Sequence, residues 1–194
     1  MAVQFPSQIV VIGVGNIILS DDGVGVHAAR LLLVDPRIPA RIRILDGGTM
    51  GPELVSYASD ASHVLLLDAM NFGAPPGTIE HVNGRELLAA KRGSSVHQLA
   101  VADLISALFL VAAPTQEIAL FGVQPANVDW GTTLSPPVQA ALSPLVDAAV
   151  VQLQMWHKSL TVHRHEELAS LTLETSPRCA SLTSRENVGP EGDR

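Results

Sequence analysis

The chain has 194 residues, of which 47% are hydrophobic and 16% are charged, and its formal net charge is −7. This length suits one domain, the composition is too apolar for a disordered chain, and the acidic balance argues against a nucleic-acid partner. The single cysteine, Cys179, excludes a disulfide framework and a cysteine-rich zinc site. Any metal must therefore be held by oxygen and imidazole ligands.

The N-terminal segment lacks the features of a signal peptide. Residues 1–6 contain no basic side chain, and the apolar run that follows covers only residues 9–14. The longest apolar stretch, residues 99–113, contains Asp103 and is shorter than the roughly 20 residues that cross a bilayer. We therefore expect a cytoplasmic protein that does not insert into a membrane.

Strand-like and helix-like segments alternate along the chain. The segment 8–12 is apolar from Ile9 onward and precedes a glycine turn, as in a buried strand. Residues 77–82 alternate in polarity, as at a sheet edge. In chain order the predicted elements are a strand at 8–12, a helix at 23–34, a strand at 41–45, a helix that begins at 51–53, strands at 63–67 and 77–82, a helix at 98–111, a strand at 117–123 and a helix from 136 to about 157. This order predicts a single-domain α/β fold, with a mainly parallel, twisted five-stranded sheet and helices on both faces, in three α/β/α layers.

The composition changes near residue 159, where polar residues begin to dominate and hydrophobic periodicity fades. We assign residues 1–158 to the α/β domain and residues 159–194 to a polar, partly disordered C-terminal extension. Within it, a short helix is expected at 165–173 and a disordered end at 187–194. The composition favours an inert solvated extension, with docking of an accessory protein as the alternative.

Acidic residues follow three of the predicted parallel strands. Asp21 and Asp22 come after the first strand, Asp46 after the second and Asp68 after the third, while His97 directly precedes a helix. Ligands of open parallel sheets bind beyond the carboxyl ends of the strands, so these side chains can converge there. Two carboxylates and one imidazole would form an open site for a divalent transition metal. The alternative for each residue alone is structural, since such aspartates often cap helices or form turns.

Several common catalytic motifs are missing. The segment 13–15 starts like a dinucleotide fingerprint, but Ile18 occupies the position of the third glycine. A phosphate-binding P-loop, the H-E-x-x-H zinc motif and the G-x-S-x-G elbow are also lacking. Cys179 lies in the polar extension and is not expected to act as a nucleophile.

Six segments, in this order, carry a resemblance to a known family. They are GVGNIILSDDGVGV at 13–26, LDGGT at 45–49, LDA at 67–69, HQL at 97–99, AD at 102–103 and GVQP at 122–125. Together they resemble the NiFe-hydrogenase maturation proteases, small endopeptidases that trim the C-terminal extension from the precursor of the hydrogenase large subunit. The resemblance extends over roughly residues 8–155.

The resemblance implies a set of functional residues. The metal ligands would be Asp22, Asp68 and His97. The catalytic set would include these three with Asp46, which would orient the substrate or a water molecule. Many family members have glutamate at the first ligand position, and Asp22 is one methylene shorter. The family is sometimes classed with the aspartyl proteases, although this chain has no D-T-G motif.

The resemblance also implies how the metal is used. Nickel already inserted into the large-subunit precursor would be the recognition signal, so the nickel is borne by the substrate, and other divalent ions can occupy the site in vitro. The precursor would be the main partner, with hydrogenase accessory proteins as further candidates. The alternatives are a non-catalytic assembly chaperone that checks for nickel, and a small-molecule hydrolase on the same fold.

Overall fold

A five-stranded sheet forms the centre of the protein in the computed structural model. The structure describes residues 9–89, 96–111 and 116–174, with side chains described at 9–86, 101–111 and 116–162. The strands are β1 (Ile9–Val14), β2 (Arg43–Gly48), β3 (His63–Ala69), β4 (Ile79–Asn83) and β5 (Glu117–Val123). The helices are α1 (Val24–Leu32), α2 (Val55–Ala58), α3 (Gly84–Ala89), α4 (Val96–Val111) and α5 (Pro136–Glu174), with short 3-10 turns at Ser20–Gly23 and Gly51–Leu54.

The strand order across the sheet is β2-β1-β3-β5-β4. The first four of these strands are parallel, and β4 pairs with β5 in the antiparallel direction at one edge. The predicted α/β fold with a mainly parallel sheet is therefore confirmed. The edge position predicted from the polar alternation of residues 77–82 is confirmed as well, because β4 lies outermost in the sheet.

The helices cover opposite faces of the sheet, as alternate residues of β1 show. Val10 and Ile12 belong to the buried cluster that contains Leu104 of α4. On the other face, a Cβ atom at Gly13 would lie only 2.2 Å from the backbone oxygen of Gly25 in α1. The two glycines thus allow α1 to approach the strand closely, while α4 packs against the branched side chains of the opposite face.

The observed bounds of β2 and α5 differ from the predicted ones, which changes the position of Asp46 and the length of the last helix. Strand β2 runs from Arg43 to Gly48, so Asp46 lies within the strand and not after it. Helix α5 continues to Glu174, so the predicted end near residue 157 is wrong. Residues with good intrinsic helix propensity can extend a helix after its hydrophobic periodicity has faded, which periodicity alone does not reveal.

Contacts divide the chain into Met1–Ser159 and Leu160–Arg194. Residues 160–174 of the second unit are helical and include the predicted short helix at 165–173. The predicted disordered end at 187–194 and Cys179 lie outside the described residues. Within the described part of the chain, no helix combines the length and the apolar character needed to cross a bilayer.

Candidate functional site

Two buried carboxyl groups lie close together at the carboxyl edge of the sheet. Asp68, near the end of β3, is 3% exposed, and Asp22, in the 3-10 turn after β1, is 2% exposed. Burial, and then the negative charge of Asp22, raise the pKa of Asp68 well above the ordinary value of 3.8, although a hydrogen bond from the backbone of Ala69 opposes this. Two carboxylates that repel each other away from water favour either a shared proton or a bound cation.

One carboxylate oxygen of this pair has no hydrogen-bond partner in the part of the chain that the structure describes. Among the described residues, Oδ1 of Asp68 is buried and accepts no hydrogen bond. A buried polar atom without a partner costs free energy, so native structures rarely contain one without a functional reason. The unpartnered oxygen and the neighbouring Asp22 carboxylate fit a divalent cation, whose charge would offset their repulsion.

The glycine turn after β1 positions Asp22. The backbone N–H of Asn16 donates to Oδ2 of Asp22 over 2.8 Å. Gly15 has φ +126°, and a Cβ atom there would lie 1.8 Å from the backbone oxygen of Asp22. The alternative role of Asp22 as a helix cap does not apply, because α1 begins after Gly23 without a side-chain capping hydrogen bond.

The structure places Asp46 away from this pair. Asp46 is paired with Gly13, which faces α1, and its carboxylate contacts Arg30 of that helix over 2.8 Å. Leu67 pairs with the same glycine, so the next residue, Asp68, points to the opposite face by strand alternation. The catalytic role of Asp46 therefore stays a prediction, and its observed contact is an exposed ion pair.

His97 lies in the first turn of α4, and its side chain lies outside the described residues. Helix α4 ends shortly before β5 begins, so its first turn lies toward the carboxyl edge of the sheet. Helix α4 also covers the face of the sheet to which Asp68 points, because Leu66 and Met70 of that face pack in the same cluster as Leu104 of α4. Among the described side chains, no three acidic, histidine or cysteine residues could hold a metal. The complete ligand set therefore stays a prediction.

Comparison with known proteins identifies the family. A sequence model of the family described as hydrogenase maturation protease, HycI, matches residues 26–152, which include Asp46, Asp68 and His97. The hydrogenase expression/formation protein HupD of Bradyrhizobium diazoefficiens is 35% identical over 161 residues, which cover 81% of this chain and 83% of the relative. The chain belongs to the hydrogenase maturation protease family.

Another relative and a solved structure agree with this assignment. Hydrogenase 2 maturation protease of Escherichia coli is 33% identical over 149 residues, covering 76% of this chain and 91% of the relative. The solved structure of the hydrogenase maturating endopeptidase HybD from E. coli has a TM-score of 0.69 at 34% identity, covering 76% of this chain and 93% of that chain. The predicted family and its endopeptidase class are thereby confirmed.

Asp21 is a structural residue in this family member. Its fully buried carboxylate accepts hydrogen bonds from the backbone N–H groups of Ala126, Asn127 and Ser135, and from the hydroxyl of Ser135, over 2.6–2.9 Å. Burial alone would raise the pKa of Asp21, but the hydrogen bonds from Ser135, Asn127 and Ala126 outweigh it and lower the pKa below 3.8. Asp21 thus fastens residues 126–135 beside Asp22.

Gln124 has a role that sequence reasoning missed. Its buried side chain accepts hydrogen bonds at Oε1 from the backbone of Phe72, Gly73 and Ala74 and donates through Nε2 to Asn71. It therefore orders the loop that follows Asp68 and β3. In the sequence this glutamine stands out only as a member of the GVQP segment that carries the family resemblance, and that segment indicates no role for its side chain.

We expect Asp68→Asn to stabilise the fold. The folded-state pKa of Asp68 is raised, so the folded protein retains a proton that the unfolded chain releases. Asp68 therefore lowers the free energy of unfolding, and this loss grows as the pH rises from about 3.8 through the folded-state pKa of Asp68. Urea unfolding should show a gain of about 1–3 kcal/mol at about pH 7.5 that shrinks toward about pH 4. The exposed Asp103→Asn is the control, and an equal gain in both variants at all pH values would contradict this expectation.

We expect Asp21→Ala to have the opposite effect. Because the folded-state pKa of Asp21 is lowered, its contribution is present above about pH 3.8 and is lost as the pH falls through the folded pKa. Removing the buried acceptor should cost about 3 kcal/mol or more at neutral pH. Hydrogen exchange should accelerate at the amides of Ala126, Asn127 and Ser135. Unchanged protection of these amides would show that other contacts fasten this segment.

Proposed function

We propose that this chain removes the C-terminal extension from the precursor of the NiFe-hydrogenase large subunit. The observation that supports the proposal most directly is the buried pair of Asp22 and Asp68 in a member of a family of maturation proteases. One oxygen of Asp68 accepts no hydrogen bond from any described residue. Two relatives are named for hydrogenase expression and for hydrogenase 2 maturation. Hydrolysis of a peptide bond in such a precursor accounts for both the family and the buried acidic pair.

Nickel carried by the precursor is the recognition signal in this proposal. Asp22, Asp68 and His97 would complete the coordination of that ion, with open positions filled by ligands from the substrate. Two carboxylates and one imidazole form a weak site alone, so affinity depends on the ligands that the precursor brings. Cleavage would then follow correct nickel loading, and other divalent ions can occupy the site in vitro.

In this proposal the acidic pair also takes part in the two proton transfers of peptide hydrolysis. A carboxylate can accept the proton of the attacking water, and the proton must finally reach the amine of the leaving peptide. Burial keeps bulk water away from the pair, which strengthens its interaction with any positive charge. The substrate-borne ion can either polarise the scissile carbonyl or position it beside an aspartate base.

We expect Asp22→Ala, Asp68→Ala and His97→Ala to lower processing of a nickel-loaded precursor by about a hundredfold or more. Mass spectrometry of the large subunit measures the trimmed product, and circular dichroism checks that each variant is folded. Asp103→Ala, an exposed substitution outside the proposed ligand set, is the control. Normal trimming by all three variants would overturn the proposal. Binding of the precursor by the wild-type chain without any trimming would instead favour the assembly chaperone.

We expect the affinity for a divalent cation to fall as the pH decreases. Burial and the Asp22 charge raise the pKa of Asp68, so a proton must leave before an ion binds. An imidazole ligand must also be neutral, and the ordinary histidine pKa is about 6.5. Isothermal titration calorimetry with nickel should therefore show weaker binding below about pH 6.5. An affinity that is independent of pH between about 5 and 8 would count against these ligands.

A further inference from the structure

Residues 126–135, which we call the strap, are fastened to the segment that leads into Asp22. The backbone N–H of Ser20 donates to the oxygen of Gly131 over 2.8 Å, and the N–H of Gly131 donates to Ile18 over 3.0 Å. The hydroxyl of Ser20 donates to the backbone oxygen of Asp129. These bonds join the strap to residues only two to four positions before Asp22.

The backbone at this junction is strained. Ser20 has φ +48°, and it is the one described residue other than glycine with a positive φ. This conformation is costly for a serine and persists only where the surrounding contacts enforce it. The backbone of the strap therefore has a defined position relative to Asp22 before a ligand arrives.

The strap carries an exposed tryptophan. Trp130 is 81% exposed, whereas Trp156, the other tryptophan of the chain, is 5% exposed and donates its Nε1–H to Glu117. Exposed tryptophan is costly in water, and tryptophan is enriched among the residues that dominate binding energy at interfaces. An exposed indole on a loop whose backbone is held beside a buried acidic pair is typical of a preorganised binding surface.

Further apolar side chains lie exposed on the strap itself and on two neighbouring loops. Ile18 is 43% exposed, Val128 51% and Met50, in the loop after β2, 40%. We call these three and Trp130 the apolar rim. The loop of Ile18 leads directly into Asp22. The backbone oxygen of Gly48, the last residue of β2 before the loop of Met50, accepts a hydrogen bond from Gly15. The apolar rim is therefore continuous with the turns that position Asp22.

We infer that Trp130 binds an apolar side chain of the precursor segment that flanks the scissile bond. The inference rests on the proposed function, because it takes the occupant of the apolar rim to be the peptide substrate. A peptide whose scissile bond lies beside Asp22 passes the strap, since the residues on both sides of Trp130 contact Ser20. Trp130 acts as a positioning residue that supplies binding energy next to the reacting bond.

Steady-state kinetics separate this role from catalysis. Trp130→Ala raises the KM for the nickel-loaded precursor about tenfold and leaves kcat within about threefold of the wild type. Trp130→Phe retains most of the affinity because it keeps an aromatic face. The matched control is Leu110→Ala, which truncates a side chain that is 85% exposed in the last turn of α4, far from the strap, and leaves both constants unchanged.

Fluorine NMR tests the contact without reference to cleavage. Protein labelled with 5-fluorotryptophan gives two resonances, one for each tryptophan, which Trp130→Phe assigns. Unlabelled, nickel-loaded precursor shifts the resonance of Trp130 and leaves that of buried Trp156 in place. An unlabelled second copy of the chain, added at the same concentration, leaves both in place.

The outcomes of the two experiments are distinguishable. Failure of the wild-type chain to trim the precursor overturns the proposed function, while a shift of the Trp130 resonance still supports the contact. Normal trimming with an unchanged KM in Trp130→Ala and an unmoved Trp130 resonance overturns the contact and leaves the proposed function intact. A shift caused by the second copy instead identifies the apolar rim as a self-association surface and also overturns the inference.

Discussion

The repulsion between two buried carboxyl groups is the constraint around which this site is built. Asp22 comes from the turn after β1 and Asp68 from the end of β3, and both are almost fully buried. Without a cation the pair is costly, because burial and the charge of Asp22 both raise the pKa of Asp68. The fold must offset that cost elsewhere, and the free energy that it stores favours any ligand bringing positive charge to the pair.

The rest of the carboxyl edge serves to place that pair. Gly15 allows the backbone to pass against Asp22, whose carboxylate accepts a hydrogen bond from the turn itself. Asp21, the preceding residue, points the other way and fastens the strap through four hydrogen bonds. Gln124 does the same for the loop after β3. The two carboxyl groups Asp21 and Asp68 thus act in opposite directions on stability, since Asp21 stabilises the edge at neutral pH and Asp68 destabilises it.

The two faces of the sheet separate the acidic residues further. Asp46 shares a face with α1 and pairs with Arg30, where solvent screens the ion pair and makes it worth little in stability. Asp68 shares the opposite face with α4, the helix whose first turn contains His97. A role for Asp46 in the reaction would therefore require the substrate to extend around the edge of the sheet toward the end of β2. The apolar rim lies along that same edge and would guide such a segment.

The sequence alone determined the order of the strands and of the described helices other than α3, and the edge position of β4, because burial on a sheet leaves local patterns of apolar residues. The family followed from the resemblance of six short segments. The rule that parallel strands end at one edge predicted that Asp21, Asp22, Asp46 and Asp68 lie near one another, and the family resemblance implied Asp22 and Asp68 as metal ligands. Only the tertiary structure decided which of two adjacent aspartates fastens the strap, and that Asp46 pairs with Arg30. Those choices depend on partners distant in sequence, such as Ser135, which lies 114 positions after Asp21. Local hydrophobic periodicity does not predict such contacts. It indicates which face of a helix or strand is buried, but not which distant polar group lies against that face.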